Sequence, residues 1–335
     1  MKGFEKGKSK LLIFLLLLCA LPGCGKVDTA SGKTDEVTEE ITEVEKQKED
    51  VQALQKIIEE QNALGADMST DLNNKDYTWD ENGRLIALRI GYRNLKGELS
   101  CADLPALTYL NCRGNEISSL DVSQNPALTE LWCEYNQISN LDMSGCIALE
   151  YLYCGHNEIS NLDVSGCTAL ENLYCMDNEI SNLDVSQNLV LTHLDCSLNQ
   201  ISSLDVSQNP ALTDLSCYYN EISSLDVSQN PALTDLYCGN NQIESLEVNE
   251  NIALRSLSCG SNEISSLDVS QNPALENLWC GSNQISSLDV RQNKALRRLD
   301  CSNNEISSLD VRNCPSLVSC LHGDNNPDIE VIGWQ

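Results

Sequence analysis

The chain has 335 residues and a formal net charge of −29, with 50 acidic residues against 21 Lys and Arg. That balance argues against nucleic acid and against peripheral binding to anionic lipid, and leaves basic partners, cations or plain solubility. Both phenylalanines, Phe4 and Phe14, fall near the N-terminus, so the core of the remaining chain must come from aliphatic side chains and the 17 cysteines.

Lys2, Lys6, Lys8 and Lys10 precede the apolar run Leu11 to Ala20. A basic stretch before a short apolar one predicts a secretory signal over 1–23, too short for a comfortable membrane span. It ends in Leu21-Pro22-Gly23-Cys24, which resembles the bacterial lipobox. The resemblance implies lipid on the Cys24 thiol and a chain anchored at the extracytoplasmic face of a bacterial cell membrane. An ordinary cleaved signal with a coincidental cysteine is the rival reading. Residues 24–49 are Thr, Glu, Lys and Asp with almost no apolar side chain, which predicts a disordered acidic tether.

Residues 50–106 read as an N-terminal cap. Val51, Leu54, Ile57 and Ile58 share one side of a predicted amphipathic helix from Asp50 to Leu64, stopped by Gly65. Leu72 to Arg93, with Tyr77, Trp79, Leu85, Leu88 and Ile90, predicts an irregular first coil.

From 107 to 316 one 21-residue unit is written ten times without insertion, starting at Leu107, Leu128, Leu149, Leu170, Leu191, Leu212, Leu233, Leu254, Leu275 and Leu296. A fixed period of this size predicts a solenoid. Within the unit Leu holds positions 1 and 4, Cys 6, Asn 9, Ile 11, Leu 14 and mostly Val 16. Positions 4 and 6 alternate with variable residues, as in a strand buried on one face. Asn at 9 ends that strand, where its side chain can bond the backbone of the next coil. Leu-Asp-Val at 14 to 16 predicts a second short extended segment. The turn after it carries Pro126, Pro210, Pro231, Pro273 or Pro315, which excludes a helix there. Position 19 is Asn, or Cys at Cys146, Cys167 and Cys314, and predicts a second inward ladder. If both arcs advance about 4.8 Å per coil, ten coils make a nearly straight rod of roughly 50 Å. Residues 317–335 begin an eleventh unit with Cys320 where Leu belongs, then form a C-terminal cap through Ile329, Val331, Ile332 and Trp334.

The pattern LxxLxCxxNxI resembles the leucine-rich-repeat proteins, and the 21-residue form with Leu-Asp-Val resembles the bacterial class sometimes called IRREKO. The resemblance implies a mainly β fold, a parallel β-solenoid that binds partners on its strand face. It says little about which partner, since the family binds proteins, peptides, glycans and lipids alike.

Ten cysteines recur at position 6, from Cys112 to Cys301. Exported chains with many cysteines ordinarily read as disulfide frameworks. Here the position points inward beside Leu, and stacked parallel side chains fit the disulfide dihedral poorly, so buried reduced thiols are expected. Scattered disulfides and a metal are the alternatives. Asp recurs at position 15 from Asp121 to Asp310, with Glu247 the exception. A calcium ladder and outward carboxylates bonding their own turns both remain open. The three histidines, His156, His193 and His322, have no recurring acid, nucleophile or phosphate loop beside them. The reading is no enzyme, no catalytic residue, no metal and no cofactor.

Positions 12 to 19 are nearly copied, while 3, 5, 7 and 8 vary, and every Tyr and Trp of the ten units falls in those four columns: Tyr109, Trp132, Tyr135, Tyr151, Tyr153, Tyr174, Tyr218, Tyr219, Tyr237 and Trp279. Strand propensity alone does not explain why the other extended segment lacks them. With His156 they predict exposed aromatics on one sheet face, a ligand-binding face. The expectation is a monomeric, lipid-anchored surface protein recognising an extracellular protein or peptide there. A glycan binder and a passive spacer are the competing readings.

Overall fold

The computed structural model describes residues 45–322 and 329–333. The signal, Cys24, nearly all of the tether and Trp334 lie outside the described residues.

The repeat unit folds as its columns demand. Leu at 1, 4 and 14, Cys at 6, Ile at 11 and Val at 16 are all buried, from Leu107 to Val311. Three-residue strands at positions 3 to 5, such as Tyr151–Tyr153 and Asn172–Tyr174, pair in parallel, residue for residue, one coil to the next. They build a 13-stranded sheet that follows chain order. Its first strand, Tyr77–Trp79, is the exception: it runs antiparallel to Leu85–Arg89 and closes the open edge.

The segment read as irregular is more regular than expected. Leu85–Arg89 pairs in parallel with Tyr109–Asn111, and Lys96–Ser100 with Glu116–Asp121. Leu85 to Ala106 is therefore an additional coil. Its regularity is hidden in the sequence because Leu88 and Ile90 stand 22 residues before Leu110 and Cys112, while Leu99 and Cys101 stand 21 before Leu120 and Val122; the strand pairing between them is irregular at Gly97 and Glu98.

The cap helix runs Lys48–Ala63, beginning two residues earlier than expected. It buries Leu54, Ile57 and Ile58 as expected, but Val51 is only half-buried. Two polar side chains dock it instead. Asp50 is buried and accepts two bonds from the Arg84 guanidinium, at 2.9 and 3.1 Å, and one from the Leu85 N–H at 2.8 Å. Gln61 caps the backbone of the first coil, donating to the Lys96 and Glu98 carbonyls and accepting from the Lys96 N–H. At the far end Ser319–Leu321 and Glu330–Ile332 pair with the last repeat, so the C-terminal cap adds one strand to each of its extended segments.

Two asparagine ladders join the coils. At position 9 the whole carboxamide is used: Asn157 donates to the Cys133 and Cys154 carbonyls at 3.0 Å each and accepts the Ile138 N–H at 2.9 Å. At position 19 only the donors are used: Asn209 donates to the Val185 and Asn188 carbonyls, and its Oδ1 is buried with no partner. That asymmetry explains the substitutions. A thiol supplies a weak donor and leaves no orphaned oxygen, as where Cys146 Sγ donates to the Val122 carbonyl at 3.2 Å. Cysteine replaces asparagine at position 19 in three copies and at position 9 in none.

The second arc departs from expectation. Among the described residues this segment forms strand pairs only at the ends, centred on positions 13 to 15, in Lys96–Ser100, Glu116–Asp121 and Asn140–Asp142, and again in Ser308–Asp310 with Glu330–Ile332. In the central coils the position-16 carbonyl accepts from the backbone N–H of the asparagine at position 19 in its own coil and from the side chain of its counterpart in the next. Val206 does so from Asn209 and Asn230. A side chain, not the main chain, spans the gap between coils there. Equal advance of both arcs, the premise of a straight rod, is thus not imposed in the middle of the solenoid.

The Asp column bonds its own turns: Asp184 Oδ1 accepts the Ser186 N–H at 2.9 Å, and that backbone bond, with the Ser186 hydroxyl, holds its pKa below the ordinary value. None of the described cysteines forms a disulfide, and burial pushes thiols such as Cys217 and Cys259 up to about 12. The position-6 thiols should therefore resist iodoacetamide in the native protein and all react after unfolding without reductant, a mass shift that intact-protein mass spectrometry reads directly. Finding most of the column already oxidised would contradict this.

Candidate binding face

Positions 3 and 5 point away from the core, while Leu at 4 points in; strands such as Glu130–Trp132, Tyr151–Tyr153 and Asn172–Tyr174 show a half-buried, buried, half-buried pattern. Position 8 adds a second outward row by an unusual backbone. Tyr135, His156, Asp177, Leu198, Tyr219, Asn240, Ser261, Ser282 and Asn303 all have φ between 53 and 58°. A left-handed conformation is costly for residues other than glycine. It is held because the next residue is the position-9 Asn, fixed on both sides by its ladder. The turn swings the side chain at 8 out beside the strand.

Because the strands pair without offset, side chains in one column lie directly over one another. Trp132 and Tyr153 stack with ring centres 4.2 Å apart and planes at 26°. Tyr153 and Tyr174 stack at 4.9 Å and 3°. In the second row Tyr135 stacks on His156 at 4.2 Å and 15°, and His156 Nδ1 meets Asp177 Oδ2 at 2.6 Å. The row expected at position 5 is present, but its rings are not simply exposed. Each covers its neighbour's face, so Trp132, Tyr153 and Tyr174 are half-buried with edges outward. Burial, first of several causes, pushes the Tyr153 and Tyr174 hydroxyls above their ordinary pKa. Tyr135, at 47%, is the openly exposed member of this end.

Tyr109 and Tyr151 lie at position 3 of the same group, with the Arg89 guanidinium 5.0 Å from the Tyr109 ring centre. Arg113 sits likewise over Tyr135 at 5.0 Å. Beneath it Glu134 is largely buried, which raises its carboxyl pKa. The other named residues are not part of this cluster. Tyr218 and Tyr219 meet edge to face at 4.3 Å and 81°, with Tyr237 one coil on. Trp279 stands two coils further, between Ser258 and Asp300.

Sequence reading missed Tyr92. It is 69% exposed, has φ 57°, and its ring lies over Gly114, so it begins the second row. The signal was available: Tyr92 follows Ile90 as Gly114 follows Cys112. Arg89, Arg113 and Leu198 were also passed over.

Among the described residues no group of three or more His, Cys, Asp or Glu side chains gathers as metal ligands would. The face is a row of ring edges beside exposed rings, and what it offers chemically is contact area and hydrogen bonds.

Family and structural comparisons agree with this geometry. A model of leucine-rich repeats in two copies matches residues 94–145 and 210–251. The functional domain of InlJ from Listeria monocytogenes, described as including a cysteine ladder, is 35% identical with TM-score 0.65, over 75% of this chain and 52% of that one. This chain thus spans about half the length of that structure. A leucine-rich-repeat protein of Leptospira interrogans (23% identity, TM-score 0.58, 69% of each chain) and an internalin, InlF, of Listeria monocytogenes (22%, 0.55, 75% of this chain and 84% of that) share the fold. A search of curated protein sequences finds no match.

Stacking makes the outward rings part of the stability of the solenoid, contrary to what a simply exposed column implies. Urea unfolding of Trp132→Ala, Tyr153→Ala and the double variant should show a coupling of about 0.5–1.5 kcal/mol. The pair Tyr153→Ala and Trp279→Ala, six coils apart, should show none. Zero coupling in the first pair would mean the rings do not hold one another.

Proposed function

This chain is a leucine-rich-repeat protein, and from that premise we propose that it is a binding scaffold, not an enzyme, which holds an extracellular protein or peptide on the aromatic face between Tyr109 and Tyr174. The observation that carries the reading is the paired rows, Trp132–Tyr153–Tyr174 and Tyr135–His156. Stacked rings lose little conformational freedom on binding, because their neighbours already fix them. The stacking also favours protein over glycan: a sugar packs on a ring face, and both faces of Tyr153 are taken. What the middle of the row offers is ring edges and hydroxyls beside the His156–Asp177 pair, which suit backbone and side-chain groups of a polypeptide.

The surface location is part of the proposal. The basic and apolar start of the chain and Leu21-Pro22-Gly23-Cys24 support export, lipid on Cys24 and display at the outer side of a bacterial membrane.

The immobilised solenoid should capture a protein from host or bacterial surface extracts, and its affinity should then be measured for wild type and for Trp132→Ser/Tyr153→Ser/Tyr174→Ser. Serine already occupies this column at Ser216 and Ser258, so the fold accepts it. Loss of about 2 kcal/mol or more, some 30-fold, is expected if even one ring is a hot spot. Unchanged affinity would move the site elsewhere, a glycan-array hit would replace the partner class, and no saturable ligand would leave a spacer. In the cell, Cys24→Ser should be released or left unprocessed; identical fractionation of wild type and variant would remove the lipid anchor from the account.

A further inference from the structure

Beyond Tyr174 the aromatic column is interrupted. Position 5 continues Asp195, Ser216, Tyr237, and position 3 continues His193, Asp214, Asp235. Strand pairing lays these out as a grid, with Asp195 beside Ser216 beside Tyr237 and, in the next column, His193 beside Asp214 beside Asp235. Ser216 is thus a short side chain among long ones. Asp195 and Tyr237 stand about 4.8 Å to either side, and Asp214 precedes it on its own strand by about 6.8 Å. Tyr218 follows on the same coil and leans toward Gly239, where an added Cβ would meet its ring at 3.3 Å. The gap in the column is a notch between Asp195 and Asp214 on two sides and the Tyr237 and Tyr218 rings on two others, and the Ser216 hydroxyl at its base bonds the Ser197 hydroxyl at 2.7 Å.

The carboxylates are only partly used within the chain. Asp195 Oδ1 accepts the Ser197 N–H at 3.0 Å. Asp214 Oδ2 accepts the Thr213 hydroxyl at 2.8 Å and lies 3.3 Å from His193 Nε2. Asp235 accepts the Thr234 hydroxyl at 2.8 Å and the Tyr237 hydroxyl at 3.4 Å. Among the described residues no lysine or arginine pairs with any of the three; His193 with Asp214 is their one ion pair. They stand at coil spacing and do not converge on a point as metal ligands would.

A second observation comes from the other end of the same sheet. There the chain covers its own tyrosines with its own guanidiniums, Arg89 on Tyr109 and Arg113 on Tyr135, each at 5.0 Å. Among the described residues no cation covers Tyr218 or Tyr237. The rings beside the notch are also accessible: Tyr218 is 36% exposed and Tyr219 47%, with Leu198 at 40% next to Tyr219. An exposed apolar patch against an acidic edge that has no lysine or arginine partner asks for a flat cation on an apolar stem.

We propose that the notch over Ser216 receives an arginine side chain of the protein partner, with its guanidinium between Asp195 and Asp214 and its plane and stem against Tyr237 and Tyr218. This rests on the reading that the sheet face binds a protein, and it names the chemistry that protein must present. Arginine suits the site better than lysine because its planar fork can meet a carboxylate with two bonds while stacking on a ring. The site would then make between molecules the contact that Arg89 and Arg113 make within this one.

The test is a fluorescence-polarisation titration with a labelled decapeptide of alternating glycine and arginine at physiological salt, beside its lysine and glutamate analogues. Saturable binding of the arginine peptide is expected, weaker binding of the lysine peptide and none of the glutamate peptide. Because a chain of net charge −29 attracts any polycation, the deciding variants hold charge constant. Ser216→Trp fills the notch without changing charge, and the column already carries Trp132 and Trp279, so the coil accepts it. It should weaken binding at least tenfold, whereas Ser258→Trp, two coils on, should not. Asp195→Asn/Asp214→Asn should weaken binding at least tenfold, whereas Asp163→Asn/Asp184→Asn, which removes the same charge from the outer turns, should change it less than twofold. If Ser216→Trp binds as wild type does, or the two double variants behave alike, the peptide is held by overall charge and the notch is not a site. The peptide titration does not involve Trp132, Tyr153 or Tyr174, so its failure would leave the reading of the aromatic rows standing, and failure of that reading would show in the serine variants alone.

Discussion

One asparagine carboxamide per coil, at position 9, bonds three backbone groups in two coils, and most of what is distinctive in this solenoid stems from it. The strand before it must end there, because its carbonyls and N–H groups turn inward to meet the amide. The residue before it is forced into a left-handed conformation that tyrosine and leucine would otherwise avoid. Each coil offsets that strain with three part-buried hydrogen bonds, and repetition makes the arrangement a ladder in which every amide supports its neighbours.

The binding face is a product of the same constraint. Register without offset puts each variable side chain over its counterpart, so three aromatics in one column become one stack. The left-handed turn places a second row alongside, where Tyr135, His156 and Asp177 form a chain of contacts. A solenoid of this kind lets single residues be exchanged on a fixed grid. The interruption at Asp195 and Ser216 is such an exchange, and it changes the surface from ring edges to a notch with negative walls.

Much of this was legible in the residues because the period is strict. Leu107 to Ser316 declares its buried columns, its two ladders and its variable face without reference to any partner. Three things were not legible, each for a physical reason. The regularity of the first coil, expected as irregular, is hidden because its offset to the next coil changes from 22 residues at Leu88 to 21 at Leu99, which no fixed period reveals. The absence of a continuous second sheet depends on which acceptors the backbone and side chain of the position-19 asparagine use, and Leu-Asp-Val looks extended either way. The stacking of Trp132, Tyr153 and Tyr174 needs the coil spacing as well as the column, since outward position alone implies exposure. Asp50 and Gln61 show the same limit at the cap: each reads as a surface residue on the helix pattern, and each is buried because the first coil offers it backbone or guanidinium partners.

The two asparagine ladders differ in one respect that an experiment can isolate: position 9 uses the carboxamide oxygen and position 19 does not. Asn157→Cys and Asn188→Cys place the same thiol in each ladder, and urea unfolding followed by far-ultraviolet circular dichroism compares them. Asn157→Cys should lose about 2–3 kcal/mol, because the Ile138 N–H loses its partner, at about 1–3 kcal/mol, and the Cys133 and Cys154 carbonyls each lose one of two donors, keeping only Asn136 and Asn178. Asn188→Cys should lose about 1 kcal/mol or less, since the thiol keeps a weak donor and removes an orphaned oxygen. Equal losses at the two positions would contradict the claim that the position-9 amide is what holds the coils in place.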